Sequence, residues 1–235
     1  MAALLRVPTS RIVRAAGFAV RPSHARFLTA GKAWPAEQIE ARSKAMDNMR
    51  RGFARVQRAE REANETELVA SAEEVIQNGE NLLGLPLFDS EPSVQLELKQ
   101  KIGLAHFKLP KSYSGRVGGE HGTHRQRGLG YLEQVAQARG SLLDWFNVMT
   151  VAACAGDVQR SQAAFIKLEE RYDDAETPPA ELRAFYPWPE VLHYHACALR
   201  DGGFYLEALP RVETLRDAYQ QLHVTDPEFL RMRGR

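Results

Sequence analysis

Acidic residues are missing from the first 36 positions of this 235-residue chain; the first is Glu37. Cysteine is nearly absent. Cys154 and Cys197 both sit inside apolar helical patterns, which predicts buried free thiols rather than a disulfide framework or a cysteine metal site. Global charge of one sign is also missing: the net charge is +1, so bulk electrostatics does not point to nucleic acid. No apolar run is long enough to read as a transmembrane segment. The phosphate-loop pattern GxxxxGK[ST] and the zinc-helix pattern HExxH do not occur. No Ser/His/Asp set can be assembled from spacing, so the chain is expected to be non-catalytic and to carry no cofactor.

What is present is segregated. Residues 1–61 hold 13 Lys and Arg against 4 Asp and Glu, whereas residues 62–100 hold 1 against 9. Residues 101–140 are basic again, 7 against 2, and residues 141–235 are acidic, 10 against 15. Within 1–33, Arg6, Arg11, Arg14, Arg21, Arg26 and Lys32 alternate with Leu4, Leu5, Ile12, Val13, Phe18 and Val20. A secretory signal needs a continuous apolar core, which Arg11 and Arg14 interrupt. The composition is that of a mitochondrial import presequence, with cleavage expected near 27–34.

Residues 34–85 read as a long charged amphipathic helical arm, continuous or broken once. Met46, Met49, Phe53 and Val56, then Leu68, Ala72, Val75 and Ile76, follow three–four spacing. Arg50, Arg51, Arg55 and Arg58 dress its first half; Glu65 and Glu73 dress its second. These six are candidate partner-binding residues if the arm lies extended on another protein. The plainer reading packs the arm on its own domain with the charges in water. A further helix is expected over 91–109, closed by Pro110.

Residues 110–130 read as a basic glycine-rich loop. Six glycines fall in 111–130 with no apolar period. Arg116, Arg125 and Arg127 are its candidate partner contacts, whether to protein or RNA. Glu120, His121 and His124 suggest a metal only weakly, since a further ligand pair is lacking. His193 and His195, two apart on one helix, read as one core and one surface histidine.

The remaining 131–235 read as a helical domain built on two hairpins. The first, Leu143 to Leu168, turns at Gly156-Asp157; the second turns at Asp201-Gly202-Gly203. Aligned on Gly156 and Gly203, Met149 matches Ala196, Ala152 matches Leu199, Ser161 matches Ala208, Phe165 matches Val212 and Leu168 matches Leu215. Trp145, Gly156-Asp157, Ser161, Phe165 and Leu168 together resemble a pentatricopeptide repeat; the tetratricopeptide repeat is a close rival. In the second hairpin Gly203, Ala208 and Leu215 fit, Leu192 replaces the aromatic, and Pro210 falls inside the second helix.

The resemblance implies an all-α fold, a short right-handed stack of helix hairpins, preceded here by the arm. It also implies two uses. Long-array members read single-stranded RNA in organelles, and on this alignment Asn147 and Tyr194 would contact it. Short members resemble structural subunits of large assemblies. The acidic charge of 141–235 favours the second use. The expectation is a non-catalytic accessory or assembly subunit of the respiratory chain, ATP synthase or mitoribosome. It would act in the mitochondrial matrix or on the matrix side of the inner membrane, bound to protein subunits. The alternative is an organellar RNA-binding protein acting in RNA processing or translation.

Overall fold

The computed structural model describes residues 35–89, 91–110, 113, 124–173 and 179–223. The expected presequence, Arg116, Glu120, His121 and the basic C-terminal tail lie outside the described residues. Among them every regular element is a helix, and no helix is long and apolar enough to cross a membrane. The chain divides into two compact units, 1–138 and 139–235.

The first unit begins with α1 (Ala36–Arg61) and α2 (Glu65–Leu83). The arm is broken once and does not lie extended: it folds as a hairpin on its own core, as the plainer reading expects. Two local features reverse the chain: Ala63 adopts a left-handed φ of 52°, and the Asn64 side chain accepts from Glu67 N at 3.1 Å, capping α2. The helices run antiparallel, since Gly52 faces Val75 and Met49 faces Gly79. The apolar stripes read from the sequence then meet. Met49, Phe53 and Val56 pack with Ala72, Val75 and Ile76, and burying each large side chain contributes roughly 1.5–3 kcal/mol.

After the short α3 (Pro86–Asp89), α4 (Pro92–Lys108) closes this core with Leu98, Ile102 and Ala105. Ion pairs brace the edges. Arg50 grips Glu97 with two bonds, Nε–Oε1 at 2.8 Å and Nη2–Oε2 at 2.9 Å, and Lys108 reaches Glu60 at 2.5 Å.

Helix α5 spans His124–Arg139, so residues 124–130 are helical rather than part of the expected loop. The glycines there serve packing. A Cβ on Gly128 would lie 2.6 Å from the Gly103 carbonyl oxygen, so the two backbones meet where neither residue has a side chain. Glycine disfavours a helix by roughly 1 kcal/mol against alanine, but the contact requires it here.

The second unit is two helix hairpins, α6 (Leu142–Ala155) with α7 (Val158–Asp173), and α9 (Trp188–Gly202) with α10 (Tyr205–His223); α8 (Pro179–Ala184) lies between them. Ser141 caps α6 through a bond from Asp144 N at 3.2 Å. Gly156 and Gly203 end α6 and α9 at φ 86° and 92°, a left-handed geometry that glycine adopts without strain. The first helices, α6 and α9, pack on each other. The aromatic that α6 buries is Phe146, fully covered, whereas Trp145 is only half-buried. Helix α10 continues through Pro210. Cys154 and Cys197 are free and partly buried.

Gly128→Ala is expected to destabilise the first unit by about 1–3 kcal/mol, because the new methyl meets backbone that cannot step aside. Gly130→Ala, with open space around its Cβ, is expected to be neutral or stabilising. Urea midpoints of the two variants measure the difference; equal midpoints would refute the packing argument.

Candidate functional site

The sequence-predicted arginines divide into two groups. Arg50 is spent internally on Glu97. Arg51, Arg55 and Arg58, joined by Arg61, line an open groove of about 760 Å³ along α1, with Gly52 and Ala54 between them. They recur at four-, three- and three-residue steps, so they form a row about 15 Å long at 1.5 Å per residue. Glu74 of α2 is the one acidic residue in the lining and pairs with Arg55. Arg51 donates to the neutral Asn48 Oδ1 at 2.7 Å, and Arg61 Nε donates to the Gln57 carbonyl at 3.3 Å. The sequence alone places all four arginines on one stretch of helix, Arg61 included; the groove exists only once α2 is folded against α1.

Of the candidates from the glycine-rich segment, Arg125 and Arg127 are held inside the first unit. Arg127 pairs with Glu80 at 3.2 Å, and Tyr131 donates to the same carboxylate at 3.3 Å. The Arg125 guanidinium lies 5.5 Å from the Phe107 ring centroid. Glu73 accepts from the Tyr113 hydroxyl, while Glu65 is exposed at the start of α2. His124 Nδ1 sits 3.1 Å from His106 Nδ1, so one imidazole donates to the other and the pair is neutral. Burial, then the neighbouring imidazole and Arg127, pushes His106 down to about 3; burial also lowers His124. This seam joins α2, α4 and α5. Among the described residues no group of three or more His, Cys, Asp or Glu is arranged to hold a metal ion.

In the second unit Ser161 and His195 meet, both fully buried. The Ser161 hydroxyl donates to the Met149 carbonyl at 2.9 Å, and His195 Nε2 lies 3.1 Å from the same oxygen. With the hydroxyl proton committed to Met149, the imidazole donates to serine. That direction is opposite to the one a serine nucleophile needs, where histidine accepts the proton. The pair is therefore an inter-hairpin bond. The small residue shared with the repeat pattern is used to accept it. Burial, then Arg211, pushes His195 down to about 3.

Asn147 is buried at 8% exposure. Tyr194 is half-buried and packs on Phe146 and Tyr186, at centroid distances of 5.5 and 5.1 Å. Asn147 therefore offers no open face in this unit.

The surface that sequence reasoning missed is on α10. Tyr205, Leu206, Leu209 and Val212 are 68%, 82%, 52% and 50% exposed, at helical spacing on one face. The aligned pair Phe165 and Val212 differ sharply. Phe165 is buried beneath the second hairpin, with His195 at 4.6 Å, Trp188 at 5.2 Å and the Arg211 guanidinium at 4.1 Å. Val212 stays half exposed. Periodicity cannot foresee this, because the same pattern serves a covered and an uncovered face.

No protein-family model, curated protein or solved structure matches this chain.

His106 and His195 set an acid limit on stability. Unfolded, each binds a proton near 6.5; folded, each resists protonation until about 3. The stability they support is complete above pH 6.5 and is lost as pH falls from 6.5 toward 3, by on the order of 2 kcal/mol each at pH 5. Calorimetric Tm is expected to fall between pH 7.5 and 5. His195→Gln, which keeps a donor for Ser161, is expected to flatten that fall. An unchanged slope in the variant would remove His195 from the explanation.

Proposed function

We propose that this chain is a non-catalytic accessory or assembly subunit of a large mitochondrial complex, binding protein partners. The observation that carries the reading is the uncovered apolar face of α10. In the second unit each hairpin has more apolar surface than it buries alone, and the first hairpin's surplus, centred on Phe165, is covered by the second. The equivalent face of the second hairpin is open at Leu206, Leu209 and Val212. A contiguous exposed apolar stripe of this kind marks an interaction surface. Two hairpins in series, each turned by a left-handed glycine, support the finer reading of a short right-handed pentatricopeptide- or tetratricopeptide-like stack that another helical element would extend.

The presequence-like composition of 1–33 supports import into mitochondria. The respiratory chain, ATP synthase and mitoribosome all offer assemblies in which such a chain would serve, on the matrix side. The RNA-binding alternative draws on the basic segment 101–140. It is less well supported, because Arg127 is neutralised by Glu80, and Asn147 is buried.

The test is co-purification from the source organism's mitochondria. The tagged chain is expected to bring down stoichiometric protein subunits and to migrate with them on native gels. Leu206→Asp combined with Leu209→Asp is expected to release those partners while leaving Tm within about 2 °C, since both side chains already face water. A wild-type chain that runs as a lone stable monomer in mitochondrial extract would overturn the proposal.

A further inference from the structure

We infer that the arginine groove on α1 is the docking site for an acidic α-helix of a partner protein. This rests on the subunit reading for the partner's being a protein, but on a different observation from the α10 face. Four guanidinium groups, of Arg51, Arg55, Arg58 and Arg61, line one groove against a single carboxylate, Glu74. Only Arg55 has a carboxylate partner; Arg51 and Arg61 lean on neutral acceptors, and the Arg58 side chain makes no hydrogen bond or ion pair among the described residues. Other basic side chains of this unit, Arg50, Lys108 and Arg127, are neutralised by Glu97, Glu60 and Glu80. The groove thus gathers four guanidinium groups around one carboxylate.

The occupant's chemistry follows from the lining. Arg55 already takes a carboxylate from α2, a helix lying antiparallel to α1. A second acidic helix on the open flank, running parallel to α1, would offer carboxylates to the rest of the row. Helices share a 1.5 Å rise, so carboxylates at i, i+4 and i+7 of the partner fall beside Arg51, Arg55 and Arg58. Ala54, small and exposed between the arginines, leaves room for a helix to approach the row. A single-stranded nucleic acid is served less well: the lining has no aromatic ring for bases to stack on. Exposed ion pairs are individually weak, so affinity must come from several acting together and must fall with salt.

The experiment is fluorescence anisotropy of the full chain with a labelled synthetic helix carrying Glu at i, i+4 and i+7. Its Gln-for-Glu counterpart and a single-stranded RNA 12-mer are run beside it. The Glu peptide is expected to bind at least about tenfold tighter than the Gln peptide at low salt. Arg51→Ala with Arg58→Ala is expected to weaken it about tenfold at unchanged Tm. Arg51→Gln with Arg58→Gln gives the same reading if the alanine pair perturbs folding. Glu74→Gln, which frees Arg55, is expected to tighten binding, an effect that general surface damage would not produce.

Equal binding of the Glu and Gln peptides, or indifference to the arginine changes, would overturn the inference. RNA that binds more tightly than the Glu peptide and is lost in the arginine variants would make the occupant a nucleic acid instead. Self-association abolished by the same variants would make it a second copy. Failure here leaves the α10-dependent co-purification intact; failure of the subunit reading removes that co-purification itself.

Discussion

The ring of Phe165 needs a cover that its own hairpin cannot supply. Helices α6 and α7 face each other along one side, and what remains apolar on α7 must be buried by something else. The second hairpin does this with His195 stacked at 4.6 Å, Trp188 at 5.2 Å and the Arg211 guanidinium at 4.1 Å. The Ser161–His195 bond sits beside that contact and sets which face of α9 turns inward. Once this arrangement is adopted, its consequence passes along the chain: the second hairpin has spent one face as a cover and still has another exposed. The α10 stripe is that remainder.

In the first unit the governing constraint is charge rather than cover. The sequence is basic along α1 and acidic along α2, and an antiparallel hairpin sets the two rows beside each other. The match is incomplete. Arg55 meets Glu74, Arg50 meets Glu97 and Lys108 meets Glu60, while Glu73 and Glu80 turn to Tyr113, Tyr131 and Arg127. Glu74 is the one carboxylate that lines the groove, so the α1 row there carries more guanidinium groups than carboxylates.

Much of the local structure was legible in advance. The apolar stripes of α1 and α2, the Gly156 and Gly203 turns and a core-facing and a less buried histidine at 193–195 all follow from spacing, because helix geometry repeats every 3.6 residues whatever surrounds it. The misreadings share one cause. Gly128 was read as loop because glycine weakens helices, yet a glycine pair is what lets α4 and α5 touch. An extended arm and a packed one both stay open to the sequence, because periodicity measures a helix's face and not what lies on that face. The repeat resemblance rests on Trp145, yet Phe146 is the aromatic that α6 buries, because one helical step separates them and only neighbouring helices decide which points inward.

By itself, then, the sequence determined the all-helical character of the described residues, the positions of their turns, the alternating charge blocks and a basic, acid-free start. These depend on interactions within a few residues along the chain. The tertiary structure alone decided which surfaces were left over: an apolar stripe on α10 and an arginine row on α1. Surplus is a property of pairs. A face is open, or a charge uncompensated, only with respect to the elements that the fold brings against it, and no local pattern encodes those.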